Sequence, residues 1–408
     1  MSSFYSLNLM ITILLLVLAS PQPATSLKVP LFKNKNNLIV AEIPVGFQPT
    51  VTAYLTLDTL SPFTILDCSI PDGYDPNQSE TSQLMYYNNS ICIPPLHQSF
   101  SSDWCWFQFE SAHGFYVFDL FASDMSDGRK ALVPFGCINE YSPSSGKNNT
   151  TPVTGVLGLG QGHPSNFLTQ STLEKFAFTI PFHELPTASA VASANGFDPS
   201  LAFGPYATMP TNGTMCVQST TILREQRAAA GAPIRDYYYL NLTGIIVGGY
   251  IVQGIDPKLF WPPSRGGSGF VLHTSSSQIV LPAPAYDAFR VVVVDLVRVL
   301  YGLDPVEPLA GYDLCFNTTD PVAMANVTPF FTPSMVLEFE GGVAHLKLLN
   351  GVPFQEVPDF GEWYYSCMLV VAGDERGGGK PSFVGLLDQI GYKFLYDLST
   401  SGLSFTTG

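Results

Sequence analysis

The sequence predicts a mostly β protein built from two similar halves, with a few short helices. Charged residues make up only 12% of the 408 residues, and 35 Gly and 33 Pro interrupt short apolar runs. That balance is typical of many short strands joined by turns. In addition, an apolar run of β-forming residues enters a polar cluster twice, at residues 53–63 and again at 266–282. We therefore expect two β-rich lobes that each deliver one polar loop.

The overall charge limits the classes of partner. The formal net charge is −15 at pH 7, and such a surface repels nucleic acid phosphates and anionic membranes. The chain is therefore not expected to bind DNA or RNA. Its apolar fraction of 46% is ample for the core of one large or two ordinary domains.

The first 26 residues are predicted to be a secretory signal. An apolar run at residues 9–19 is followed by small residues that end at Ala24-Thr25-Ser26, the pattern of a cleavage site. The positive charge that usually precedes such a run is missing. A membrane anchor is the alternative, but the run is shorter than the roughly 20 residues that span a bilayer. No later stretch is suited to span a membrane, so we expect a secreted protein without stable membrane insertion.

Asparagine sequons and cysteines fit a secreted chain. The sequons reach a density that is useful only in a glycosylating compartment, and they begin at Asn77, Asn88, Asn148, Asn149, Asn212, Asn241, Asn317 and Asn326. Seven cysteines are present, none in a C-x-x-C pair with metal-site spacing. Disulfides are therefore the favoured use, and the odd number leaves one thiol free. We expect neither a metal nor a cofactor.

The first half contains a series of predicted strands and one helix. Polar residues and prolines at 69–104 indicate surface loops. Residues 105–119 alternate as a hairpin with its turn near Ala112 to Gly114. Residues 165–178 have side chains at helical spacing. The predicted strands, of which the first three form an antiparallel meander, are 28–32, 38–43, 51–56, 132–137, 155–160 and 201–204.

We place the boundary between the halves in a stretch rich in alanine and glycine. Residues 220–236 have the composition of a linker. They divide the mature chain into an N-terminal β lobe, 27–219, and a C-terminal β lobe, 237–408. The second lobe is predicted to open with a strand and hairpin turn at 237–249.

The second lobe contains the clearest helix of the sequence, at residues 284–300. Its predicted apolar face carries Phe289, Val292, Val293, Leu296 and Leu300. Further strands are predicted at 335–339, 344–349, 364–371, 382–387 and 392–398. Roughly a hundred residues after each polar cluster an apolar pair meets a glycine, which indicates a duplication: Val156-Leu157-Gly158 and Phe383-Val384-Gly385.

Several motifs occur in the order and spacing of one known family. Asp58-Thr59-Leu60-Ser61 is similar to an Asp-Thr-Gly-Ser motif, and His273-Thr274-Ser275-Ser276 holds the place of a second copy. Further landmarks are Cys68, Phe135-Gly136-Cys137, residues 155–160, residues 238–245, Leu281-Pro282, residues 286–289, residues 313–316 and Tyr396-Asp397-Leu398. The chain thereby resembles the plant nepenthesin-like and xylanase-inhibitor-like subfamily of pepsin-like aspartic proteases (peptidase A1), over nearly all its mature length. The resemblance implies the bilobal pepsin-like acid protease fold with a central cleft, and a disulfide between Cys315 and Cys367.

The resemblance also implies a catalytic site at the floor of the cleft. In that family two aspartates hold one water and share one proton, because like charges about 3 Å apart cannot both ionise cheaply. Asp58 matches the first aspartate, with Thr59 and Ser61 as supporting residues. His273 stands in place of the second, with Thr274 and Ser276 as its supports.

Three departures argue against proteolysis. His273 cannot share a proton as a carboxylate does, and Leu60 and Ser275 replace the two motif glycines. The flap hairpin lacks the family's Tyr-Gly-Asp-Gly signature and has Phe107 or Phe109 near the tyrosine position. Losing a general acid or base costs about 10² to 10⁴ in rate, and here several parts of the mechanism are lost together.

Asp58, His273 and the glycine-rich residues near 378 also have structural explanations. Asp58 is expected to be a hydrogen-bonded remnant of an ancestral site, and His273 a buried histidine satisfied by Asp58 or by the neighbouring hydroxyls. Zinc would need three or four ligands, and no second His or Cys lies nearby in sequence. A serine-type site that uses Ser275 or Ser276 with His273 is disfavoured by their spacing on a strand and by the missing Gly-x-Ser-x-Gly elbow. The glycine-rich residues 376–380 are interpreted as a turn rather than a phosphate loop.

The leading hypothesis is a secreted, glycosylated, catalytically defective protein of the apoplast or cell wall that acts by binding. The resemblance supplies the precedent, because plant relatives that lost catalytic residues include inhibitors of cell-wall-degrading xylanases and glucanases, and seed globulins. The expected partner is a protein or peptide in the interlobe cleft or on surface loops, such as a secreted glycoside hydrolase, and the chain is expected to be monomeric. The alternatives are an active acid endopeptidase and a structural or storage-type wall protein.

Overall fold

The computed structural model describes residues 27–34, 38–71, 73–92, 103–109, 112–122, 130–141, 153–161, 168, 173–180, 199–210, 215–224, 237–318, 332–340, 342–358, 364–373 and 381–407. Within these residues strands predominate. They are β1 Lys28–Lys33, β2 Ile39–Val45, β3 Val51–Asp58, β4 Ile65–Asp67, β5 Gln83–Leu84, β6 Trp106–Phe109, β7 Ala112–Ala122, β8 Lys130–Tyr141, β9 Gly155–Gly158, β10 Lys175–Thr179, β11 Ser200–Phe203, β12 Gln218–Leu223, β13 Tyr239–Leu240 and β14 Leu242–Val247.

The remaining strands are β15 Tyr250–Ile251, β16 Phe270–Leu272, β17 Ile279–Leu281, β18 Pro305–Val306, β19 Cys315–Asn317, β20 Met335–Phe339, β21 Ala344–Leu348, β22 Phe354–Pro358, β23 Tyr364–Met368, β24 Val370–Ala372, β25 Ser382–Val384, β26 Tyr392–Asp397 and β27 Gly402–Thr407. In the described part of the chain there is one long α-helix, α1, Ala283–Tyr301. Short 3-10 helices lie at Gly204–Tyr206, Pro257–Phe260, Pro263–Arg265 and Leu386–Gln389. The mostly β fold class is confirmed.

The largest sheet joins the two ends of the chain. Its main path runs β13-β12-β27-β26-β10-β11-β1-β2-β3-β9-β4-β8-β7-β5, with β6 beside β7. β26, from the C-terminal end, pairs antiparallel with β10, and Phe178 faces Phe394 in that ladder. Three smaller sheets of four strands each are formed within the second half. In one of them β20 and β21 alternate buried with more exposed residues, the pattern of a sheet with one covered face.

The duplication that the sequence indicates is visible in the strand order. In the first half the order is β3-β9-β4-β8, and in the second it is β16-β25-β17-β24. The outer pairs of both units are parallel and the central pair is antiparallel. Gly158 ends the second strand of the first unit, and Gly385 directly follows the second strand of the other. A Cβ added at Gly158 would lie 2.4 Å from the backbone oxygen of Phe63, and one added at Gly385 would lie 2.4 Å from that of Gln278. The repeated glycines therefore permit close backbone approach.

The predicted helix at 284–300 is observed one residue longer at each end. Its inner side buries Ala285, Phe289, Val293 and Val297, at the four-residue spacing of one helix face. The helix ends at Gly302, whose φ of 68° is the left-handed conformation common at helix ends. Leu300, which the sequence placed on the apolar face, is exposed instead.

Three local predictions are corrected by the structure. Residues 175–178, expected to end a helix, belong to strand β10 because they complete the ladders to β11 and β26. Residues 220–223, expected to begin the linker, lie in β12 and pair with β13 or β27, and residues 225–236 lie outside the described part. Residues 112–114, expected at the turn of the hairpin, lie in β7, where Ala112 pairs with Phe109 of β6.

Three disulfides account for six of the seven cysteines. The bonds are Cys68–Cys137, Cys92–Cys105 and Cys315–Cys367, the last being the pair that the resemblance implies. Cys216 is free and exposed.

The structure locates half of the predicted sequons. Asn77 and Asn88 are exposed, and Asn241 and Asn317 are partly buried. Asn148, Asn149, Asn212 and Asn326, like the predicted signal at 1–26, lie outside the described residues. No helix in the described part of the chain has the length and apolar character needed to cross a membrane.

Candidate functional site

The two repeated units place Asp58 and His273 beside each other. Asp58 ends β3, and His273 directly follows β16. Each of these strands is paired in parallel with its glycine-bearing neighbour, β9 or β25, and the N–H of His273 donates to the carbonyl of Val384 at 2.9 Å. The two strand ends meet, and the imidazole Nε2 of His273 lies 3.6 Å from Oδ1 of Asp58.

Two buried threonines connect the loops that carry these residues. The N–H of Thr59 donates to Oγ1 of Thr274 at 3.1 Å, and the N–H of Thr274 donates to Oγ1 of Thr59 at 3.3 Å. Each hydroxyl in turn donates across the interface, from Thr59 to the carbonyl of Leu272 at 2.7 Å and from Thr274 to that of Leu57 at 2.9 Å. The threonines thus fix the two loops to each other. The expectation that their hydroxyls hold Asp58 and His273 directly is not met.

Asp58 lies in an environment that favours its charged form. Its Oδ1 accepts from the N–H groups of Leu60 at 2.8 Å and Ser61 at 3.1 Å, and its side chain is 20% exposed. Burial alone would raise the pKa of Asp58, but the adjacent His273 and the two N–H donors outweigh that effect and lower it. Ser61 supports the carboxylate through its backbone, because its hydroxyl is engaged with the main chain of Phe63.

His273 has one solvated and one enclosed ring nitrogen. Nε2 lies 2.6 Å from the hydroxyl of Ser275, whereas Nδ1 is buried and has no hydrogen-bond partner among the described residues. The ring of Phe383 packs edge-on against the imidazole, with 4.9 Å between the ring centroids. The predicted support Ser276 instead accepts the N–H of Gln278.

Ser275 is the functional residue that sequence reasoning misjudged. The sequence marks it as a substituted glycine, and strand alternation separates only neighbouring residues, so it does not argue against a contact between positions 273 and 275. The strand ends at Leu272, and just beyond it the side chains of His273 and Ser275 meet. A serine two residues after the histidine was the signal available in the sequence.

The contacts limit the chemistry of the site. Within the described residues the ionisable side chain beside Asp58 is that of His273, so the carboxylate has no second carboxylate with which to share a proton. A serine relay would need an acid at Nδ1 when the serine is at Nε2, but Asp58 and Ser275 both face Nε2. The described residues also hold no group of three or more His, Cys, Asp or Glu side chains that could bind a metal.

Of the two predicted flap residues, Phe107 has a side chain that the structure describes. The side chain of Phe107 is 4% exposed and packs against Tyr116, with ring centroids 5.2 Å apart. It fills the space over Gly114 and Gly136, where an added Cβ would lie 2.8 Å from its ring. Phe107 is therefore a core residue. Phe109 lies at the end of β6, opposite Ala112.

Comparisons with known proteins agree with this architecture. The family model "Xylanase inhibitor N-terminal" matches residues 40–191, and "Xylanase inhibitor C-terminal" matches residues 237–407. The chain is 25% identical over 386 residues to Aspartyl protease family protein 2 of Arabidopsis thaliana, covering 88% of this chain and 68% of that protein. It is 23% identical over 337 residues to Aspartic proteinase nepenthesin-2 of Nepenthes gracilis, covering 81% and 67%.

Solved structures share the fold along almost the whole chain. A crystal structure titled "edgp" has a TM-score of 0.66 at 19% identity and covers 95% of this chain and 96% of its own. Basic 7S globulin from soybean has a TM-score of 0.62 at 16% identity, with 95% and 97% covered. These likenesses show a pepsin-like fold. Together with the two matched family models, they show that the chain belongs to the pepsin-like aspartic protease family, in the plant branch of nepenthesin-like and xylanase-inhibitor-like proteins.

Proposed function

We propose that the protein is a secreted, catalytically defective member of this family that acts by binding, as an inhibitor of cell-wall-degrading glycoside hydrolases. The observation that carries the first part is the position of His273, 3.6 Å from Asp58 where the family mechanism needs a second carboxylate. The lowered pKa of Asp58 supports it, because a carboxyl group that stays ionised cannot alternate with a partner as acid and base.

The binding role is supported by the family and by the accessibility of the site. Both matched family models describe xylanase inhibitors. The side chains of Asp58 and His273 remain 20% and 16% exposed, so a partner can reach the former catalytic position. The proposed partner is a secreted xylanase or glucanase, and the inhibitor acts as a glycosylated monomer in the apoplast. The signal-like residues 1–26 and the sequons support secretion. The two-lobe division near residues 220–236 is part of the same proposal.

Two assays test the proposal. In the first, the mature protein is incubated with denatured globin at acidic pH with and without pepstatin. No pepstatin-sensitive cleavage is expected, and cleavage that disappears in Asp58→Ala would show an active protease. In the second, purified xylanases and glucanases are assayed with increasing amounts of the protein. Saturable inhibition with a one-to-one endpoint is expected for at least one of these hydrolases. The inhibitor role would be contradicted if none of them lost activity and if the protein retained no hydrolase from a cell-wall extract in a pull-down.

A further inference from the structure

A surface pocket of about 550 Å³ lies between β5, the segment before it and the Tyr86–Trp104 pair. Its volume falls in the range of about 300–1,000 Å³ usual for small-ligand sites. Among the described residues that line it, no side chain is charged. The lining combines aromatic rings with side-chain amides and is built from residues that play no part in the Asp58 and His273 site.

The aromatic part of the pocket is a pair of rings, one exposed and one partly buried, on residues joined through the backbone. The rings of Tyr86 and Trp104 lie 4.7 Å apart between centroids at an interplanar angle of 36°, and Tyr86 is 56% exposed. The two residues form an antiparallel bridge, flanked by hydrogen bonds from the N–H of Tyr87 to Asp103 and from that of Cys105 to Met85. The Cys92–Cys105 disulfide fixes the adjoining chain. The rings are therefore held in place before any ligand binds.

The amides around this pair supply both donors and acceptors. Asn89 uses Oδ1 to accept the N–H of Ile91 at 3.1 Å, which directs its NH₂ group away from that bond. Asn77 uses Nδ2 to donate to Asp75 at 3.1 Å, which leaves its carbonyl oxygen for a ligand. Gln83 is exposed on β5 and can offer either group.

We propose that this pocket binds a neutral oligosaccharide. A pyranose ring has an apolar face of C–H groups that stacks on an aromatic ring, and a rim of hydroxyls that pair with amide donors and acceptors. The Tyr86–Trp104 pair with Asn77, Gln83 and Asn89 provides both kinds of contact. An ionic ligand would enter without a counter-charge, because the lining has none.

The sugar has two chemically equivalent sources. Asn77 lines the pocket and begins a sequon, and Asn88, which begins another, is next to the lining residue Asn89. A glycan attached at either position could occupy the pocket of its own chain. The other source is a fragment of a neutral polysaccharide. A sugar from either source would stack on the Tyr86–Trp104 pair. The test therefore substitutes these two residues and removes the attached glycan in a separate step.

The mature chain, freed of N-glycans by enzymatic removal, is titrated with neutral β-linked gluco-, xylo- and manno-oligosaccharides by isothermal calorimetry. Saturable binding of at least one of them is expected. Tyr86→Ala and Trp104→Ala should each weaken it by about tenfold, since one stacking contact is lost. Tyr250→Ala, which removes an exposed tyrosine from β15, is the matched control and should bind as the wild type does.

The glycosylated protein distinguishes the two sources. If the attached glycan occupies the pocket, added oligosaccharide binds only after deglycosylation or in Ser79→Ala with Ser90→Ala, which removes both sequons and leaves the lining residues unchanged. If the source is external, both forms bind equally. The proposal is overturned if the glycan-free protein binds none of the oligosaccharides, or if binding is unchanged in Tyr86→Ala and Trp104→Ala. Circular dichroism melting confirms that each variant is folded, and Tyr86→Phe, which keeps the ring, should retain binding.

Discussion

Thr59 and Thr274 exchange backbone-to-hydroxyl hydrogen bonds across the two halves of the chain, 215 residues apart in sequence. The arrangement is the same in both directions, as expected of two copies of one strand and loop. It persists although the residues beside it, Asp58 and His273, no longer match. The threonine framework of the two loops is thus symmetric although the residues beside it differ.

Replacing either threonine should destabilise the fold. Thr274→Val removes the hydroxyl that accepts from Thr59 and donates to Leu57, and leaves buried groups without partners. The expected loss in the free energy of unfolding is about 2 to 4 kcal/mol, measured by urea denaturation. Thr52→Val on the exposed side of β3 is the control and should change stability little. Equal effects of the two substitutions would contradict a structural role for the threonine pair.

The contact between His273 and Asp58 should appear in the pH dependence of stability. Because the pKa of Asp58 is lowered from its ordinary value of 3.8, the stabilisation is present above that value and is lost as the pH falls through the folded-state pKa. Asp58→Asn should therefore be less stable than the wild type near neutral pH, and the difference should shrink in acid. His273→Ala should reduce the same acid dependence. Unfolding curves at a series of pH values measure both effects.

A reversed result would count against this account of the site. If Asp58→Asn were more stable than the wild type at neutral pH and lost that advantage in acid, the charged carboxylate of Asp58 would destabilise the folded protein instead of stabilising it. Ser275→Ala is a useful companion, because it removes the other contact of Nε2 while leaving the Asp58 contact in place.

Asp388 should make the protein less stable as the pH rises. It is almost fully buried, and neither carboxyl oxygen has a partner among the described residues. Burial raises the pKa of Asp388 to about 8. The unfolded chain therefore releases this proton first, and stability should fall as the pH rises from about 3.8 towards about 8, then level off.

Asp388→Asn should remove most of this decline, as followed by thermal melting between pH 4 and about 9. Asp287→Asn alters an exposed aspartate on α1 and should leave the pH profile unchanged. A wild-type profile that rises over this range, with no difference in Asp388→Asn, would show that the carboxyl ionises freely in the folded protein.

Restoring the missing chemistry should restore cleavage. His273→Asp with Ser275→Gly returns the second motif to the family pattern, and Leu60→Gly returns the first. The triple variant should cleave denatured globin at acidic pH in a pepstatin-sensitive way, because two carboxylates can again share a proton. The same substitutions in an Asp58→Ala background are the control. No cleavage by a folded triple variant would show that further parts, such as the flap, also fail.

The sequence was sufficient to predict much of this site and fold. Apolar runs with regular glycines predicted β3, β16 and their parallel partners, and helical spacing predicted α1, because each is a local pattern. The meeting of Asp58 with His273 followed from the repeated motif. The predictions that were wrong concern residues whose structure depends on contacts with other parts of the chain. Lys175–Thr179 becomes a strand because β26 arrives from the other end of the chain. Phe107 is buried because Gly114, opposite it in the hairpin, and Gly136 on β8 leave room for its ring.

The placement of β26 and β27 within the sheet of the first half has a consequence for synthesis of the chain. β10 and β12 acquire these neighbours from residues 392–407, which are synthesised long after β10 and β12 themselves. Until then the edges of β10 and β12 that later receive them are open to pairing with other chains. We therefore expect the sheet of the first half to be completed only after residues 392–407 have emerged, so that deletion of these residues would misfold β10 and β12, which lie about 200 residues earlier in the chain.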